Sequence, residues 1–232
     1  MRAELLEAPV KALIFDMDGT MVDSMHAHKS TWIDFALRHG VQLDAEEMMR
    51  RTTGRNGAEC VRVLLNAPDM DEALAWSLVH EKEQLYREQF GPVFAEVPGF
   101  SAFYAAARSK GMRCGIGTAG DIHNLEFALD HLQLPMPPDA TARGDEGLSG
   151  KPTPAIFLAV AERMGVAPAH CVVFEDAPFG IEAARRAGMR AVSICTGHSA
   201  EELAGTHVLA AAPHFDALLQ THFLETLNVA HH

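Results

Sequence analysis

Leu13 to Phe15, Val172 to Phe174 and Ala191 to Ile194 are short apolar runs rich in β-branched side chains, and each connects with an amphipathic segment. "MRCGIGTAG", Met112 to Gly120, is a fourth run of the kind and ends in small residues. Runs this short are read as strands. The segments "FSAFYAAARSKG" before Met112, "TPAIFLAVAERMG" after Lys151 and "FGIEAARRAG" after Asp176 carry helical periodicity. Gly111 and Gly188 are placed as C-caps of two of them. Strand and helix in alternation predict an α/β fold, a Rossmann-like parallel sheet covered on both faces.

The texture changes between Met25 and about Val97, where "HKSTWIDFALRHG", "GAECVRVLL" and "DEALAWSLVHEKEQLYREQF" are helical and no buried strand is evident. Residues 25–96 are therefore expected to form an all-helical insert, closed by the Pro98–Gly99 turn. Residues 1–24 and 97–232 are expected to form the α/β core. A chain of 232 residues with 48% hydrophobic content can build such a core with a small satellite. A formal charge of -12 argues against nucleic acid or an anionic membrane as partner. A small substrate is the better expectation, and it can be anionic where local cations and a metal reverse the field.

Cys60, Cys114, Cys171 and Cys195 form no CxxC pair and are read as small buried hydrophobes of a reduced cytosol. "MRAELLEAPVKALIF" lacks the pattern of a signal peptide, and no run approaches the roughly 20 apolar residues of a membrane span. A cytoplasmic protein, monomeric or weakly homodimeric, is expected. His231 and His232 receive no weight.

In an open parallel sheet, ligands lie beyond the carboxyl ends of the strands. "ALIFDMDGTMVDS" puts Asp16 and Asp18 at one such end, and "VVFEDAP" puts Glu175 and Asp176 at another. Two acidic pairs on one rim suit a hard cation such as Mg²⁺, because carboxylates held close without one raise each other's pKa. A carboxylate can also attack phosphorus, and a second one two residues on can exchange a proton with the leaving or attacking oxygen. Gly19 permits a tight turn, and Thr20 offers a hydroxyl and an amide. Thr118 with the amides of Ala119 and Gly120, and the point charge of Lys151 in "SGKPTP", can serve phosphoryl oxygens.

"FDMDGTMVDS", "GTAGD", "GKPTPAIF" and "FEDAPFGIEAARRAGM" resemble, in order, the four motifs of the haloacid dehalogenase superfamily, over almost the whole chain. The helical insert after the first motif resembles the cap of the β-phosphoglucomutase-like branch. The resemblance implies Asp16 as nucleophile, Asp18 as general acid and base, and Thr118, Ala119 and Lys151 as phosphate-binding. It implies Mg²⁺ held by Asp16, Glu175, Asp176 and the backbone carbonyl of Asp18. Dehalogenase relatives carry tyrosine at the position of Asp18 and phosphonatases a small nonacidic residue, so the carboxyl here implies phosphoryl transfer to or from oxygen. In the cap, His28, Arg55 and Lys82 match positions that meet the substrate in the mutase.

Phosphatase and phosphomutase share an aspartyl phosphate and differ in what attacks it. "GTAGD" departs from the serine-rich second motif of the mutase, which favours a sugar-phosphate phosphatase, with a phosphomutase as the alternative. A non-enzymatic phosphate-metabolite sensor is the competing class, and its mark would be the loss of Asp16 or Asp18. Plain structural roles stand beside these: Asp-Gly as an ordinary turn, Glu175 and Asp176 as caps of the helix that follows, and His28 and Lys82 on charged outer faces. Arg55 would then pair with Glu59, Trp32, Phe35, Trp76 and Tyr86 would fill the insert's core, and "EELAGTHVLAAAP" would be surface helix and edge strand. His26 and His28 are expected to face different ways and share no ion.

Overall fold

The computed structural model describes residues 8–52 and 56–227. Along the chain, β1 (Ala12–Phe15) precedes α1 (Met25–Arg38), α2 (Ala45–Thr52), α3 (Gly57–Leu64) and α4 (Glu72–Phe90). There follow α5 (Phe100–Ser109), β2 (Arg113–Gly117), α6 (Ile122–Leu132), β3 (Ala140–Ala142), α7 (Ala155–Met164) and β4 (Cys171–Glu175). The chain then runs through α8 (Pro178–Arg186), β5 (Arg190–Ile194), β6 (Val208–Ala212), α9 (Phe215–Gln220) and α10 (Phe223–Thr226). Contacts divide it into two units, Met1–Asp23 with Ala95–His232, and Ser24–Phe94.

In the first unit the six strands form one parallel sheet in the order β3-β2-β1-β4-β5-β6. Side chains of β1 alternate between its faces. Ala12 and Ile14 pack with Phe157 and Val160 of α7 and Ile181 and Ala184 of α8. Phe15 turns the other way, its ring centroid 5.3 Å from Phe100 on α5, 6.1 Å from Phe215 on α9 and 4.9 Å from Phe174 in β4. Both faces are covered, so β1 is buried at all four residues and reads as a continuous apolar run. The order reverses at β1 and β4, which lie side by side with Phe15 opposite Phe174. That junction is the switch point at which such sheets bind ligands.

Gly111 and Gly188 take left-handed conformations, φ 77° and 70°, just past α5 and α8. Met112 N–H reaches back to Ala107 O (3.2 Å) and Met189 N–H to Ala184 O (3.0 Å), which closes both helices as the sequence predicts. This unit also departs from the sequence reading. β3 escapes it because "ATA" is too short to show a period. Residues 201–203 form a turn where a surface helix is expected, held by bonds between Ser199 and Glu202, while the edge strand β6 is present.

The second unit is helical. Phe35 of α1, Val61 of α3 and Val79 of α4 form its buried cluster, with Trp32, Leu65 and Leu78 against it. Asn56 caps α3 through a reciprocal pair, its side chain accepting from Glu59 N–H and its own N–H donating to the Glu59 carboxylate. Glu59 is thus engaged locally. Trp76, expected in this core, lies 41% exposed and donates its indole N–H to Glu72 (2.8 Å). Among the described residues, no helix is long and apolar enough to cross a membrane.

Candidate active site

Asp16 follows the last residue of β1 and is buried, its N–H donating to Phe174 O of the neighbouring β4 (3.0 Å). The chain then turns at once. Gly19 has φ 80°, and a Cβ there would stand 2.2 Å from Asp176 Oδ2. Both the conformation and the space therefore require glycine. Asp18, half-buried, stands between Asp16 and this turn.

Glu175 ends β4, and Asp176 follows it; both are buried. One carboxylate oxygen from each of Asp16, Glu175 and Asp176 lies within 4.8 Å of the others. The Lys151 ammonium donates to Asp16 Oδ1 and to Glu175 Oε2, the latter at 2.8 Å, and rests 5.0 Å from the centroid of the Phe157 ring. Glu175 Oε1 accepts from Ala177 N–H (3.3 Å), and Asp176 Oδ1 accepts from the Thr20 hydroxyl (3.3 Å). The first turn of α8 is capped by neither acid: its N-cap, Ala177, makes no side-chain bond, so Asp176 is not the helix cap.

Burial raises the pKa of the Asp16 carboxyl, and Lys151 opposes that rise. Glu175 is raised well above its ordinary value by burial and then by Asp16. Asp176 is pushed up to about 7, first by burial and then by the Asp16 charge. For Lys151 burial favours the neutral amine, but Asp16 and Glu175 outweigh it and hold the ammonium above its usual range. One cation thus faces three carboxyl groups that resist ionising together. A hard oxygen donor set with excess negative charge is what a divalent cation requires, and the cluster fits one.

Thr118 stands just past β2, the strand on the other side of β1, and is buried. Its oxygen accepts from Gly120 N–H (2.9 Å), so what the hydroxyl offers is its proton. Ala119 is exposed beside it. In the helical unit Lys82 is buried, 1% exposed, and does not lie on an outer charged face. Its ammonium bonds His28 Nδ1 (2.7 Å) and Glu83 Oε1 (2.9 Å) and lies 5.0 and 5.5 Å from the Trp32 and Tyr86 ring centroids. His28 stacks on Tyr86 at 3.9 Å, whereas His26 meets Phe90 edge-on at 5.9 Å, so the two imidazoles diverge. Arg55 lies outside the described residues, as do His231 and His232. Phe157 and Glu83 were invisible to sequence reasoning, since a ring in an amphipathic helix and an acid in a charged run have no separate signal.

The profile of the haloacid dehalogenase-like hydrolases matches residues 10–188. The chain belongs to the haloacid dehalogenase-like hydrolases. It is 36% identical over 187 residues to the fructose-1-phosphate phosphatase YqaB of Escherichia coli (strain K12), covering 78% of this chain and 95% of that one. It is 29% identical over 189 residues to the β-phosphoglucomutase of Bacillus subtilis (strain 168), covering 80% and 83%. A crystal structure of a haloacid dehalogenase hydrolase, family IA, variant 3, from Entamoeba histolytica superposes with a TM-score of 0.83 at 25% identity, covering 94% of this chain and 99% of that one. As a haloacid dehalogenase-like hydrolase, the chain places its acidic cluster where the sheet order reverses.

Proposed function

We propose that this hydrolase is a Mg²⁺-dependent phosphatase that removes phosphate from a small phosphorylated sugar through an aspartyl phosphate on Asp16. The observation that carries it is a single buried strand end: Asp16 has the Lys151 ammonium on one oxygen and the Glu175 and Asp176 carboxylates beside it, with Asp18 two residues on. Mg²⁺ held by Asp16, Glu175, Asp176 and the Asp18 carbonyl would neutralise phosphoryl charge. Asp16 attacks phosphorus, the bond to the sugar oxygen breaks, and the Asp18 carboxyl gives that oxygen its proton. Water then attacks phosphorus and yields a proton to Asp18. This frees inorganic phosphate and restores the Asp16 carboxylate. Lys151 and the Thr118 hydroxyl, with the Ala119 amide, bind the phosphoryl oxygens throughout.

Residues 25–96 serve as the cap, with His28, Arg55 and Lys82 meeting the sugar. The likeness to a fructose-1-phosphate phosphatase supports a sugar monophosphate. The likeness to a β-phosphoglucomutase supports the second reading, in which a sugar hydroxyl replaces water. Incubation of a panel of sugar phosphates with Mg²⁺, following free phosphate and, for β-glucose 1-phosphate, glucose 6-phosphate, separates the two. Free phosphate from one or a few sugars, abolished by chelation, is the expected result. Isomerised sugar phosphate with little free phosphate would replace the phosphatase by the mutase, and silence toward every substrate, acetyl phosphate included, would overturn both.

A further inference from the structure

The loop that follows β5 belongs to none of the four motifs, yet it makes two hydrogen bonds into the acidic cluster's backbone. Thr196 Oγ1 donates to Gly19 O (2.6 Å), and His198 Nδ1 lies 3.0 Å from Asp176 O. A carbonyl can only accept, so Nδ1 carries the proton in this contact. The two carbonyls belong to residues in close contact, since Gly19 leaves no room for a Cβ against the Asp176 carboxylate.

The loop is built to hold a position. Its entry is fixed to the edge strand by Cys195 N–H donating to Ala212 O (2.8 Å). Its exit is closed by Ser199, whose N–H and hydroxyl both donate to Glu202 Oε2 (2.8 Å each), and by Ser193 Oγ donating to Leu203 O (3.1 Å). Between these anchors, Thr196 and His198 grip the turn after β1 and the end of β4 at once. Both contacts reach main-chain oxygens, so they fix the path of the backbone and leave the charge of the carboxylates unchanged.

We infer that Thr196 and His198 are positioning residues that hold the Gly19 turn against Asp176 and thereby set the spacing of the metal-binding carboxylates. The inference rests on the proposed metal site at Asp16, Glu175 and Asp176. Residues one step behind metal ligands commonly govern affinity by about 10-fold to 100-fold when removed. Thr196 is exposed and His198 half-buried, so both can be changed without opening the core.

The test is Mn²⁺ binding, followed by electron paramagnetic resonance of the free ion, to the full-length wild type, Thr196→Val with His198→Ala, and Thr196→Ser with His198→Asn. Asp176→Asn serves as the site control. The Val/Ala pair should raise the Mn²⁺ Kd by about 10-fold or more, with an unchanged metal-free melting temperature, and the Ser/Asn pair, which keeps both donors, should restore it. A Val/Ala Kd within about twofold of wild type, or a rise that the Ser/Asn pair does not reverse, would overturn the role of the loop. If the metal-free Val/Ala protein melts lower, the separate single variants decide, and a Kd that follows melting temperature and not the lost donors also overturns it. Wild type that binds no Mn²⁺, or binds it as Asp176→Asn does, would instead remove the metal site itself.

Discussion

At the scale of single residues, burial without partners makes the sharpest statement at His207. Its Nε2 bonds Ile181 O (3.0 Å), while Nδ1 is buried with no hydrogen-bond partner. Burial, opposed by that carbonyl, lowers its pKa from the ordinary 6.5. In the unfolded chain the ring takes a proton near 6.5, whereas the folded protein resists until lower pH. The unfolded state then binds more protons as pH falls, and the stability His207 allows at neutral pH is lost below about 6.5. Wild type should therefore lose more melting temperature between pH 7 and pH 5 than His207→Gln, which can keep the donor to Ile181. Parallel pH profiles for the two proteins would contradict this reading.

At the scale of elements, the adjacent ends of β1 and β4 bring together buried carboxyl groups that raise one another's pKa beside a single ammonium, Lys151. Asp176 is pushed up to about 7 by burial and by Asp16, so Asp176→Asn should melt at or above wild type in metal-free buffer. Mg²⁺ at about 100 times its Kd should stabilise wild type by about 2.7 kcal/mol and leave the variant unchanged. A metal-free variant that melts well below wild type would contradict the account. These strand ends were also the legible part of the sequence. "LIF" followed by Asp16, and "VVF" followed by Glu175, announce buried strands that stop at polar residues, and the sheet does bring them side by side. β3 was illegible because three residues cannot display a period, and Trp76 misled because its size suggests burial while its indole N–H finds Glu72 at the surface. Thr196 and His198 carry no local signal, since their partners lie 177 and 22 residues away and only the sheet order makes them neighbours.

At the scale of the whole molecule, a chain of formal charge -12 is read as handling an anionic substrate. The field that matters is local: Lys151 offsets the carboxylates at the switch point, and the proposed divalent cation would offset them further. The order of the sheet makes this possible, because it sets β1 between β2, which leads into Thr118, and β4, which ends at Glu175. The proposed mechanism depends on Asp16 as the group that takes the phosphoryl. The most direct measurement is Mg²⁺-dependent phosphate release by Asp16→Asn beside wild type, with circular dichroism on both. Turnover should fall by at least about 10³-fold with an unchanged spectrum. Turnover near the wild-type rate from a natively folded Asp16→Asn protein would contradict it.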